Sequence, residues 1–115
     1  KTYTTSIDAD HKTGRYLYYI PGAHGGGEKD GSPLVQYDLK NKARKVIAFL
    51  HPFYHRKYGY IPQGTFGSAV SANGDKVFIT WNGNRGTPVG ATARRVRFNT
   101  CALMVIHVPP SERQP

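Results

Sequence analysis

The amino-acid sequence predicts an all-β fold, and three observations carry that expectation. Short runs rich in β-branched and aromatic residues recur, each bounded by Gly, Pro, Asn or Asp. No helical pattern with caps persists for ten residues. The series of runs then occurs a second time along the chain.

The elements follow in order. Residues 3–7 (Tyr-Thr-Thr-Ser-Ile) have strand composition, and residues 15–20 form a second run stopped by Pro21-Gly22. Residues 34–39 and 45–50 are the third and fourth strands, joined by a polar hairpin loop over 40–44. A second series starts at 66–70 and continues as 76–81 and 102–108. Residues 7–20 align with 70–80: a small-residue strand, a polar turn ending near Gly14 or Gly74, then an aromatic-aliphatic strand. Residues 34–39 likewise match 103–108. A unit of roughly 60 residues is thus present about twice, the second copy without its fourth strand.

Four short antiparallel strands per repeated unit is the arrangement of a β-propeller blade. The expected division is one β domain of about two blades, residues 1–50 and 64–108, with an interblade loop over 51–63 and a polar, proline-rich tail over 109–115. A small closed β-sandwich or barrel of seven strands is the other architecture the pattern allows.

Composition bounds the answer further. A chain of 115 residues and 12.8 kDa makes one domain with a real core. Its single cysteine excludes an internal disulfide, a four-thiolate zinc site and a Cys-x-x-Cys pair. No apolar run is long enough for a membrane span. Sixteen Lys+Arg against seven Asp+Glu give +9, which suits a polyanionic ligand such as nucleic acid, and equally a solvated basic surface. The tightest clusters, at 42–45, 55–57 and 94–97, are shorter than basic localisation or polyanion tags.

Ser71-Ala72-Asn73-Gly74-Asp75-Lys76-Val77-Phe78-Ile79 resembles the blade motif of TolB-type, WD-repeat-like β-propellers. Tyr37-Asp38-Leu39, a polar turn and Lys45-Val46-Ile47 resemble the third and fourth strands of the same blades. Gly-His and Trp-Asp signatures are missing, and the loops are unusually long. The resemblance implies the C-terminal blades of a longer protein and an exported one, periplasmic or extracellular. Two blades cannot close a ring of four to eight. The expected partners are therefore other blades, other protein subunits or further copies of the chain.

In such a blade, the long segments 21–33, 51–64 and 81–100 would emerge on one face, where binding usually resides. They hold over half of the net charge. Tyr54, His55 and Arg56, with His51, combine aromatics and cations suited to stacking beside an anion, although Phe53, Tyr58 and Tyr60 would equally plug the space between blades. His51 and His55 would converge on a metal only on a helix, and Pro52 argues against a helix start. His24 would be the third ligand. Trp81, Asn82, Asn84 and Arg85, leaving a strand at an Asn-Gly turn signal, would bind carbohydrate or a carboxylate, or else brace a loop.

Other signals lead nowhere. The stretch 23–28 is glycine-rich without the Gly-Lys-Ser/Thr ending of a phosphate loop. Asp8 and Asp10 fail the calcium-loop spacing. Cys101 is expected as a small buried residue. No carboxylate pair forms an acid/base couple, so no catalytic residue is assigned and no cofactor is implied. The expected function is a non-catalytic binding or assembly segment that presents a basic, aromatic loop face to a partner. Part of an enzyme or metal site at the channel mouth, and polyanion or nucleic-acid binding, are the alternatives.

Overall fold

A computed structural model describes residues 4, 6–21, 31–86 and 98–115. The all-β expectation holds, with seven strands in two antiparallel sheets among the described residues. Strands β1 (Ser6–Ala9), β2 (Tyr16–Ile20), β3 (Pro33–Asp38) and β4 (Ala43–Phe49) form the first sheet in sequence order. Strands β5 (Tyr60–Val70), β6 (Lys76–Arg85) and β7 (Thr100–His107) form the second, again in sequence order. Neither sheet closes into a barrel, and among the described residues the second has no fourth strand.

Alternation on each strand decides what is buried. Tyr16, Tyr18 and Ile20 of β2 share one face and are all buried, as period-two patterning requires. They join Leu34 of β3 in a core with Val77, Ile79 and Trp81 of β6 and Met104 of β7. The first strands of the two sheets are also tied directly. Ser6 and Thr65 share a buried hydroxyl–hydroxyl bond of 2.7 Å, and the Val70 amide donates to Asp8 Oδ2 at 2.8 Å.

The matched turns are built from local polar side chains. Asp10 accepts from the Lys12 amide at 3.0 Å and from the Thr13 hydroxyl at 2.6 Å. In the second turn Ser71 Oγ donates to Asp75 at 2.8 Å and accepts from the Lys76 amide at 3.0 Å. Gly74 there has φ +77°, in the left-handed region that favours glycine.

Three expectations need correction. Residues 51–63 are not a loop: Leu50–Tyr58 is an α-helix, α1, and β5 begins immediately after it at Tyr60. Pro52 does not prevent the helix because it occupies the first turn, where a missing N–H is harmless. The two amides before it are held by main-chain carbonyls, Leu50 to Ser32 at 3.1 Å and His51 to Gly31 at 3.0 Å. Gly59 ends the helix in the left-handed region, its amide bonded to His55 O.

The segment starting at Trp81 is not a loop either, since β6 runs on to Arg85 between β5 and β7. The Asn82-Gly83 pair that suggests a turn is mid-strand. Gly83 is needed there because the Tyr60 ring crosses it: a Cβ at Gly83 would lie 2.6 Å from the Tyr60 hydroxyl. Cys101 is exposed, not buried, and its thiol lies 3.4 Å from Asn82 Oδ1.

The C-terminal segment docks on the first sheet after passing through a short 3₁₀ turn, Pro110–Glu112. Gln36 Nε2 donates to Glu112 O at 2.6 Å and to the Tyr18 hydroxyl at 3.0 Å. The Tyr16 hydroxyl donates to Gln114 O at 2.7 Å, and Lys45 pairs with the Glu112 carboxylate.

Candidate functional site

Helix α1 and the end of β6 bring three of the sequence-derived candidates, Tyr54, Arg56 and Arg85, to one end of the second sheet. The Gly86 amide donates to Gly59 O at 3.0 Å, fastening the helix C-terminus to the end of β6. Arg85 lies at this junction with its side chain exposed. Its backbone is clamped by Asn99, whose Oδ1 accepts from the Arg85 amide at 2.9 Å and whose Nδ2 donates to Arg85 O at 3.3 Å.

Helix α1 presents an aromatic wall beside this point. Tyr54 and Tyr58 stack with ring centroids 5.6 Å apart and planes inclined by 26°, and Phe53 meets Tyr54 edge-on at 5.1 Å. Lys57 Nζ lies 5.3 Å from the Phe53 ring centre and 5.5 Å from that of Tyr58. Phe53 and Tyr58 are more than half exposed, and of the three only Tyr60 is buried. The Tyr60 hydroxyl donates to Thr100 O at 2.9 Å, and burial pushes its pKa up to about 12. Burial also raises that of Tyr54, with Tyr58 adding to the shift.

Between this wall and β7 runs a cleft of about 410 Å³. Tyr54, Tyr58 and Tyr60 line one side, Arg85 lies at one end, and residues 102–105 of β7 form the other side. Among the described residues the lining holds one cation and no carboxylate. Arg56 and Lys57 are exposed on the helix nearby. The arrangement favours an apolar, extended ligand with negative charge at the Arg85 end.

The remaining candidates separate from this cleft. His51 and His55 do lie on a helix and are both buried, with ring centroids 5.7 Å apart and planes at 84°. That is edge-to-face packing. Among the described residues no group of three or more His, Cys, Asp and Glu is placed to hold a metal ion. His24, the third proposed ligand, lies outside the described residues. Trp81 is a core residue, 2% exposed. Asn82 and Asn84 face away from the Trp81 side of β6, and Asn84 is buried.

The sequence reading placed a strand over 102–108 with no fourth strand after it, but named no residue of it as a candidate for binding. Strand β7 pairs with β6 through eight consecutive residues without a bulge, and among the described residues its other edge carries no strand. Leu103 is 62% exposed and Val105 37%. The signal was present: from Thr100 to His107 the strand has no Lys, Arg, Asp or Glu. No described helix is long and apolar enough to cross a membrane. In comparisons with known proteins the chain matches no family model, no curated protein and no solved structure.

Proposed function

We propose that the chain is a non-catalytic binding and assembly segment of a β-propeller, whose second blade is completed by a strand from a partner. The observation that carries this reading is a contrast between two outer strands. β4, the outer strand of the first sheet, bears Arg44 and Lys45, both exposed, and its pairing with β3 is interrupted by a bulge. Charges and bulges of this kind keep a sheet edge from recruiting another strand. β7 has neither device, over a longer run.

The propeller part of the reading is supported by the order of the strands. Two consecutive meanders lie with their first strands, β1 and β5, tied together at Ser6–Thr65 and Asp8–Val70. Blades around a central channel have this relation. By the same resemblance we place the protein outside the cytoplasm.

A role in an enzyme or metal site finds less support, because the two candidate imidazoles pack against each other and the described residues of the Arg85 cleft include no acid or base pair. The test is the native mass of the protein as isolated, by native mass spectrometry or light scattering. The expected result is a mass well above 12.8 kDa, falling when Leu103→Lys and Val105→Lys give β7 the kind of charge that β4 carries. A clean, stable monomer with β7 unprotected from amide exchange would overturn the reading.

A further inference from the structure

The cleft narrows what kind of strand completes the sheet. Strand addition at an exposed edge takes its affinity from main-chain hydrogen bonds and its specificity from pockets for alternate side chains. On β7 those alternate positions are distinct. Ala102, Met104 and Ile106 point into the core, and Leu103 and Val105 point outward. A strand laid along β7 would therefore place every second side chain on the core side, against Tyr54 and Tyr58 of α1.

Arg85 has the same parity on β6 as Gly83 and Trp81, and Gly83 pairs with Thr100. Its side chain thus belongs to the tyrosine side of the sheet, beyond the Thr100 end of β7. Its backbone is held by Asn99, so the cation is presented from a fixed base. Among the described residues no carboxylate lines the cleft beside it, and the chain as a whole carries +9.

We infer that the α1–β7 cleft takes an extended peptide with an apolar body and a carboxylate at the end that reaches Arg85. This rests on the proposed completion of the second sheet and adds the chemistry of the partner. Apolar side chains of the incoming strand pack on the Tyr54–Tyr58 pair. The carboxylate pairs with the guanidinium, for which a planar, two-point contact is available. The positive surface of Arg56 and Lys57 speeds encounter with an acidic partner.

The test uses the full 115-residue chain and three fluorescein-labelled octapeptides: alternating Val and Thr ending in two glutamates, the same body ending in two glutamines, and the glutamate peptide with two central prolines. Fluorescence anisotropy gives affinity, and amide exchange reports whether β7 becomes protected. The glutamate peptide should bind and protect β7, and the proline peptide should do neither. The glutamine peptide should bind about tenfold more weakly, the size of one charge-assisted hydrogen bond. Arg85→Gln should remove that difference while leaving the melting temperature unchanged, since the side chain is exposed.

Equal binding of the glutamate and glutamine peptides with β7 protected would overturn the acidic-end inference and leave the strand-completion reading standing. Binding without protection of β7, or no binding by any of the three, would overturn the inference. The native mass then decides the broader reading separately.

Discussion

The carboxylate of Asp10 lies directly over the Cα of Gly74, joining the turn of the first sheet to the matched turn of the second. A Cβ on Gly74 would fall 2.7 Å from Asp10 Oδ1, and Asp10 cannot swing away without giving up its bonds to Lys12 and Thr13. Gly74→Ala therefore combines a left-handed backbone penalty with a clash, and should cost about 2 kcal/mol or more. In an Asp10→Ala background the same substitution should cost only the backbone share, about 1 kcal/mol. Urea denaturation of the four proteins of this cycle measures the difference, and strict additivity would refute the contact.

Acid sensitivity should trace to Asp38. Arg15 binds it with two bonds, 2.9 Å from Nε and 2.7 Å from Nη2, and holds its pKa far below the usual carboxylate range. The Lys40 and Asn41 amides add to the effect. A depressed pKa means the folded state binds fewer protons than the unfolded one. The stabilisation is then fully present above about pH 4 and is lost as pH falls towards the folded value. Melting temperature against pH should drop less steeply below about pH 4 in Asp38→Asn than in the parent. Parallel curves would show that the pair contributes nothing.

Tyr60 makes the opposite statement at high pH. Its pKa is raised to about 12, so its protonated form is favoured by folding. That contribution is intact below about pH 10, the unfolded value, and disappears as pH rises through the folded one. Tyr60→Phe should lose about 1 kcal/mol at neutral pH, with the bond to Thr100 O, and flatten the alkaline limb of the stability profile. Gly83→Ala should be worse, about 3 kcal/mol, because its Cβ would meet both this ring and the Ile61 carbonyl. Ultraviolet titration of tyrosine ionisation and denaturant melts test the two together.

Gln36 should matter more than a strand amide usually does. One NH₂ group serves both the Tyr18 hydroxyl and the Glu112 carbonyl. Gln36→Leu keeps the bulk but leaves those acceptors without their donor, at an expected cost of about 1–3 kcal/mol. Limited proteolysis should then cut faster within residues 109–115. An unchanged cleavage rate would mean that the segment is held elsewhere.

The strands were legible wherever alternation and turn chemistry agree. Tyr16–Ile20 and Lys76–Arg85 follow a Gly-containing polar turn, and buried residues fall at every second position along the first and from Val77 to Gly83 in the second. Helix α1 was not legible from its N-terminus, since Phe49 provides no side-chain cap and the first amides bond to main-chain carbonyls of residues 31 and 32. Such carbonyls exist at every position and leave no mark in the sequence. Its C-terminus did leave one: Arg56 and Lys57 ahead of Gly59 is the usual ending of a helix. Asn82-Gly83 misled for a related reason, because its glycine answers to Tyr60, more than twenty positions away, and not to a turn.

Half of the candidate cleft was visible in advance. Tyr54 and Arg85, with Arg56 beside them, stood out by composition, whereas the side of β7 that carries no strand among the described residues is a matter of which strands lie next to one another. Thr100–His107 reads as an ordinary strand until β4 is set beside it. His51 and His55, chosen for their chemistry, turned out to pack on each other in the interior of the helix face.

The bond from Tyr16 to Gln114 spans 98 positions of the chain. A protein made from its N-terminus forward therefore emerges from the ribosome with its first sheet long before the segment that covers it. During that interval the nascent chain shows Tyr18, Ile20 and Leu34 without the core partners that β6 and β7 later supply. Contacts so distant in sequence slow folding, and the exposed intermediate is open to chaperones and to aggregation. The strap of residues 109–115 thus ties completion of the first sheet to synthesis of the second.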